Sequence, residues 1–113
     1  MKQVWDRGEI EAIEYLKSLW FSIKDTNFKF SKFWEIDIVG EKDGLTVFFE
    51  VKKRYGHAFG YASETLQYGK KIKILKTIQY YCYLRKIDFG KIRFDFLAIQ
   101  DGKLEHFENV ELY

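Results

Sequence analysis

Residues 48–54 read FFEVKKR, and the reading of this stretch decides the fold. As a β-strand it sends Phe49 and Val51 to one face and Glu50 and Lys52 to the other. An apolar face needs a core to cover it. An acid and a base held together on the opposite face form either a solvated ion pair or a site that handles charge. Glu-x-Lys is common on solvated sheet faces, so the choice rests on the rest of the chain.

The preceding residues extend the pattern. FWEIDIVG (33–40) and LTVFFEVKKR (45–54) read as strands joined by a turn at EKDG, where Asp43-Gly44 is a hairpin signal. FSIKDTNFKF (21–30) alternates as a further strand. The turn places Asp37 opposite Phe48 or Glu50, depending on loop length. In both registers Asp37, Glu50 and Lys52 share a face. Opposed or diagonal side chains then lie roughly 4.5–8 Å apart at Cβ. Two carboxylates so close repel unless a cation joins them, and Mg²⁺ or Mn²⁺ favours such hard oxygen ligands. A cation of this kind can activate water against a phosphodiester, with Lys52 offsetting the developing charge.

Two helices flank the strands in the sequence. Residues 4–19 read as an amphipathic helix, with Trp5, Ala12, Ile13, Leu16 and then Trp20 at helical spacing and Glu9 in the same stripe. An acid in an apolar stripe calls for a partner, and Glu9 is placed to add a carboxylate to the site. Residues 55–61, with two glycines, read as a loop. Residues 62–86 form a second helix whose stripe holds Leu66, Ile74, Ile78 and Tyr81, with Lys70 among them. Cys82, Tyr80, Tyr81 and Tyr83 are expected to pack in the core. KIRFDFLAIQ (91–100) and LEHFENVEL (104–112) then read as two strands about Asp101-Gly102. The order α-β-β-β-α-β-β predicts a single α/β domain over 1–113, with a mixed sheet of about five strands flanked by helices.

The totals exclude several classes. At 113 residues the chain fits one domain, and its 47% hydrophobic and 19% aromatic content supports a core. One cysteine forbids an intrachain disulfide and a multi-cysteine zinc site, which fits a reducing cytoplasm. The charged N-terminus lacks a signal peptide's apolar run, and no stretch approaches the roughly 18 apolar residues of a membrane span. Proline is absent, so helix ends depend on glycine, polar caps and packing. Net charge is only +2, so a nucleic-acid partner must be argued from placement. Between 52 and 76 the bases are Lys52, Lys53, Arg54, Lys70, Lys71, Lys73 and Lys76, against the single acid Glu64. That local excess suits a polyanion. His57 lies in the glycine loop beside it and reads as a surface histidine.

The ordered set of motifs resembles the YraN-like family of small bacterial proteins. The set comprises GEIEAIEYL at 8–16, Asn27 and Lys29, WEIDIVG at 34–40, FFEVKKR at 48–54, AFG at 58–60, Lys70, and RFDFLAI at 93–99. That family is placed in the PD-D/E-x-K nuclease superfamily and is similar to archaeal Holliday-junction resolvases. The resemblance implies a restriction-endonuclease-like core. It implies Asp37, Glu50 and the Val51 carbonyl as ligands of Mg²⁺ or Mn²⁺, Lys52 as the catalytic lysine, and Glu9 as the helix carboxylate completing the site. Arg54 and Lys70 match family positions with phosphate-directed or accessory roles. Trp34 and Lys53 depart from a usual glycine and threonine, and Lys29 stands where arginine is typical.

The expected activity is therefore a metal-dependent endonuclease acting on DNA rather than RNA, on branched or damaged structures. The alternatives are a non-catalytic nucleic-acid-binding module within a larger complex, and a structural protein whose carboxylates serve stability. Cutting both strands of a duplex would suit a homodimer, although no residue marks an interface.

Overall fold

The structure, a computed structural model, describes residues 7–32, 34–54 and 68–112. The elements are α1 (Arg7–Ser18), β1 (Ser22–Phe30), β2 (Trp34–Lys42), β3 (Leu45–Arg54), α2 (Tyr68–Arg85), a 3₁₀ turn (Phe89–Lys91), β4 (Ile92–Gln100) and β5 (Lys103–Phe107). The five strands form one sheet in sequence order. All neighbours are antiparallel except β3 and β4, which run parallel and are connected through α2. This is the mixed α/β sheet expected from the sequence. The predicted starts of the two helices, with Trp5 and Leu66, and the glycine loop with His57 lie outside the described residues.

Each sheet face packs against one helix. On one side Ala12, Ile13 and Leu16 of α1 meet Phe21, Ile38, Val47, Phe49 and Leu97. On the other, Ile74, Ile78, Tyr81 and Cys82 of α2 meet Ile36, Val39, Phe48, Phe94 and Phe96. Cys82 is core, as expected, and burial pushes its thiol up to about 11. Gly40 lies where the first layer leaves little room for a side chain. A Cβ there would lie 3.2 Å from Phe21 and 3.3 Å from Phe49, whose rings meet edge to face at 5.3 Å.

The turns select one of the two expected registers. The β2–β3 loop is Asp43-Gly44 alone, with φ of 53° and 80°, because Lys42 already pairs with Leu45. Two left-handed residues make the turn whose twist matches the strands. Extending the Lys42↔Leu45 register sets Asp37 across from Glu50 rather than Phe48. Asp101-Gly102 repeats the device between β4 and β5, with φ of 50° and 79°.

Three expectations fail for local reasons. Trp20 does not join the core stripe of α1; it is 85% exposed with φ 73°. The helix closes with Phe21 N–H donating to Leu16 O at 3.1 Å and Trp20 N–H to Lys17 O at 3.0 Å. This is a Schellman motif, in which the left-handed residue turns outward and the next one packs inward. Phe21 takes the buried place, in the same cluster as Leu16. The same closure ends α2, where Lys86 has φ 56° and Ile87 N–H donates to Cys82 O at 2.9 Å. Tyr83, expected in the core, is 80% exposed, since the α2 stripe that reaches the sheet runs through Ile74, Ile78, Tyr81 and Cys82. The last strand stops at Phe107. Asn109 adopts φ 54° and donates its N–H to Asp95 Oδ1 at 2.9 Å. That bond ends the regular ladder, after which Val110 N–H still donates to Phe94 O of β4 at 2.8 Å and Val110 and Leu112 pack on the α2 core.

Candidate active site

Strict alternation breaks where the acids lie. Ile36 packs with the α2 core and Ile38 with the α1 core, although residues two apart in a regular strand face the same way. The break falls at Asp37. Across on β1, Asn27 has φ 52°, and pairing passes from Thr26↔Ile38 to Phe28↔Ile36. On the other side β2 pairs with β3 only as far as Ile38↔Phe49. Beyond it the Val51 N–H donates to Asp37 Oδ2 at 2.7 Å, so a side-chain carboxylate sits where a continued ladder would offer backbone. The sheet opens here, and groups from strands and helix reach the gap.

Glu9, on the first turn of α1, reaches it from one side. Carboxylate oxygens of Glu9, Glu35 and Asp37 lie within 4.8 Å of one another. Asn27 is the clasp: its Nδ2 donates to Glu9 Oε2 at 2.8 Å and to Glu35 Oε2 at 2.7 Å. Glu50 reaches the gap from β3 and is only 8% exposed. Its Oε1 is buried without a hydrogen-bond partner among the described residues.

Burial dominates the titration of the pair. Desolvation raises Glu50 to about 9, with the neighbouring Asp37 charge and the hydrogen bond to Asp37 adding to the effect and Lys52 opposing it. Desolvation likewise raises Asp37 to about 6, while hydrogen bonds from Val51 and Glu50 pull it down and the Glu9 and Glu35 charges push it up. Both carboxyls are therefore pushed toward the protonated form, and they titrate as a pair.

The residues fit a divalent cation. The donors are hard oxygens, one buried oxygen lacks a partner among the described residues, and several acids converge, which is the chemistry Mg²⁺ and Mn²⁺ satisfy. Asp37, Glu50 and Glu9, expected together, are brought together. Continuous pairing of β3 with β4, from Thr46↔Ile92 to Arg54↔Gln100, keeps Glu50 and Lys52 on one face. The Val51 backbone enters through its amide, as described. Lys53 points elsewhere and pairs with Glu11 at 2.7 Å. The Arg54 side chain lies outside the described residues. Lys70 and Lys71 are half-buried on α2 and Lys73 is exposed there. Sequence reasoning did not assign Glu35 and Asn27 to the site. Glu35 was legible as the residue two before Asp37 on one strand; Asn27 was not, because its role depends on a left-handed backbone.

A second polar cluster lies away from the gap, under α1. Asp95 is fully buried and accepts from Arg93 Nε and an Arg93 terminal nitrogen, both at 2.8 Å, and from the Asn109 amide. It also contacts His106 Nε2 at 2.7 Å, and His106 Nδ1 meets the Tyr15 hydroxyl at 2.9 Å. Every oxygen of Asp95 is engaged, and Arg93 already neutralises it, so this cluster ties α1 to β4 and β5 rather than holding a cation.

Fold and gap together define a small α/β domain whose mixed sheet opens around a half-buried acid cluster, with Glu50 buried beside it and Lys52 on the same strand as Glu50. Residues 8–99 match the protein family described as "Uncharacterised protein family UPF0102". The chain belongs to this family, the YraN-like one its motifs resemble. It is 37% identical over 102 residues to a UPF0102 protein of Persephonella marina, covering 90% of this chain and 87% of that protein. Identity to a UPF0102 protein of Thermodesulfovibrio yellowstonii is 38% over 102 residues, 90% of this chain and 89% of that one. A UPF0102 protein of Fusobacterium nucleatum is 34% identical over 109 residues, 96% and 91% of the two chains. Among the described residues, no helix is long and apolar enough to cross a membrane.

Proposed function

We propose that the protein is a divalent-cation-dependent nuclease that hydrolyses phosphodiester bonds of DNA. The observation that carries this reading is buried Glu50 beside half-buried Asp37, one Glu50 oxygen lacking a partner among the described residues, opening toward Glu9 and Glu35 beside Lys52. A structural role alone gives no reason to bury an unpaired carboxylate oxygen among like charges, because each charge raises the cost of the others.

Asp37, Glu50 and Glu9 would hold Mg²⁺ or Mn²⁺, with Glu35 at the rim. When bound, the ion supplies charge neutralisation and a more acidic water. The chain's own residues do the rest. Glu50 gives up its proton as the carboxylates take on ligand roles. The Val51 amide fixes Asp37 so that its other oxygen faces the gap. Lys52 places an ammonium on the same face as Glu50, where it offsets charge on the phosphate oxygens as water adds in line with the leaving oxygen. Lysines of α2 supply sequence-independent attraction for the backbone.

The test is cleavage of labelled single-stranded, duplex, flap and four-way DNA, with RNA for comparison, in Mg²⁺, Mn²⁺ or EDTA, beside Glu50→Gln. Cation-dependent cutting that disappears in the variant is expected. Equal cutting by both proteins would identify a contaminant and sink the proposal. Salt-sensitive binding without cutting would favour a binding module with this fold.

A further inference from the structure

The first turn of α1 carries Glu9 into the acid cluster, yet the apolar residues that seat this helix come later. Ala12, Ile13 and Leu16 pack into the layer against the sheet, and all follow Glu11 in the chain. Ile10, the apolar side chain of the first turn, is 43% exposed. Helix ends fray unless something holds them. Polar ties to the sheet hold this one.

Asn27 of β1 grips Glu9 itself at 2.8 Å. On β3, Val47, Phe49 and Val51 form the row that faces α1, and Lys53 continues it. Its Nζ donates to Glu11 Oε1 at 2.7 Å. Lys53 and Glu11 are partly sheltered, with 19% and 35% of their side chains exposed, so salt screens the pair less than an open one. Tyr15 lies one turn beyond Glu11 on the same flank of α1, and its hydroxyl meets His106 of β5 at 2.9 Å. That flank is thus fixed at two points one turn apart. The point nearer the acid cluster is Lys53, whose partner Glu11 stands two residues from Glu9, about 3 Å along the helix axis.

We propose that Lys53 is a positioning residue: through Glu11 it holds the first turn of α1 so that Glu9 meets Asp37 and Glu35. The ion pair directs Lys53 to the helix rather than to a phosphate, the role its place in the basic run suggested. For its consequence at the site the inference rests on the cation-dependent reading above. Mg²⁺ holds its oxygens at about 2.0–2.1 Å in near-ideal octahedral geometry, so a first turn that frays withdraws Glu9 as a ligand.

Mn²⁺ binding to the full chain, measured by calorimetry, tests it through the sign of the effect. Lys53→Thr removes a positive charge near the acids and keeps a residue that suits a strand. Electrostatics alone would then tighten cation binding. Lost positioning should weaken it instead, roughly fivefold, near the upper effect of a pair this exposed. Lys53→Arg should keep the wild-type affinity. Glu11→Lys combined with Lys53→Glu, which exchanges the partners, should recover most of what either single change loses. In EDTA, amide hydrogen exchange at Glu11, Ala12 and Ile13, whose N–H groups close the first turn, should quicken in Lys53→Thr and recover in the exchanged pair. Mn²⁺ affinity that is unchanged or tighter in Lys53→Thr overturns the proposal and keeps the cation site. A lower salt slope for duplex DNA binding, with Mn²⁺ affinity unchanged, overturns it too and returns Lys53 to a phosphate. If the wild type binds no Mn²⁺, the cation reading falls and exchange decides alone: quickened exchange that recovers in the exchanged pair keeps the brace, and unaltered exchange overturns it.

Discussion

Asp37 and Glu50 face one another across the gap between β3 and β2, and neither acid has an ordinary titration there. Burial sets both in the same direction, Glu50 to about 9 and Asp37 to about 6. The folded state therefore keeps protons that the unfolded chain releases near pH 4 to 4.5. Stability from this pair is fully present below that range and is lost as pH rises toward 9. Without divalent cations, urea-denaturation midpoints should fall between pH 5 and 9. Glu50→Gln, neutral at every pH, should flatten the curve and stabilise the protein at pH 8 by on the order of 1–3 kcal/mol. A wild-type curve as flat as the variant's would show that the pair is not proton-coupled.

Mg²⁺ or Mn²⁺ should reverse this slope. A bound cation competes with the proton for Glu50, so its stabilisation grows as the pair ionises. At saturating cation the midpoint at pH 8 should rise in the wild type and shift little in Glu50→Gln. Calcium, which also takes oxygen ligands, separates binding from chemistry in the same assay. Equal shifts in both proteins would place the cation elsewhere.

Asn27 should matter as much as the acids it clasps. Its amide donates to Glu9 and Glu35 from a left-handed backbone. Asn27→Ala removes both donors and puts a residue poorly suited to φ 52° in their place, costing about 2 kcal/mol or more without cations. Saturating Mn²⁺ should recover part of that loss, because the cation can answer the same carboxylate oxygens. A deficit identical with and without Mn²⁺ would confine Asn27 to a purely structural part.

Particular residues show what was legible in the sequence. Period-two alternation around Asp43-Gly44 was enough to place Glu50 and Lys52 on one face and Asp37 within reach, because hairpins are local and side-chain parity follows from geometry. The opening of the sheet at Asp37 was not legible: it rests on the Val51 amide turning to the Asp37 carboxylate, and the nearby Asn27 takes a left-handed conformation that asparagine tolerates but does not announce. Tyr15, Asp95 and His106 come from three separated elements, so their network has no spacing to read. Trp20 misled for the opposite reason. Its helical spacing was sound, but the helix ends two residues earlier.

The Asp95 network should govern the acid limb of stability. Burial pushes the Asp95 carboxyl up, yet hydrogen bonds from His106, Arg93 and the Asn109 amide hold it below its ordinary value of 3.8. A depressed acid contributes stability above its unfolded pKa and loses it as pH falls through the folded one. Asp95→Asn should cost on the order of 3 kcal/mol at pH 7, since Arg93 loses its buried partner. The gap from wild type should close below about pH 4. A gap that stays constant to pH 3 would mean that packing, not charge, carries the effect.

Trp20 offers a change that should stabilise. Its ring lies in solvent while its backbone is held left-handed at the end of α1, a conformation that costs a residue with a Cβ roughly 1–2 kcal/mol. Glycine adopts it freely and suits the Schellman closure already formed by Phe21 and Leu16. Part of the gain is returned through the larger entropy of glycine in the unfolded chain. The net expectation for Trp20→Gly is about 0.5–1 kcal/mol of added stability, read as a higher urea midpoint at unchanged m-value. Because α1 carries Glu9, cation affinity should be the same in the variant and the wild type. A lower midpoint would mean that the Trp20 ring packs against something in solution, and Trp20→Asn, which keeps a side chain that tolerates this conformation, would then separate ring loss from backbone relief.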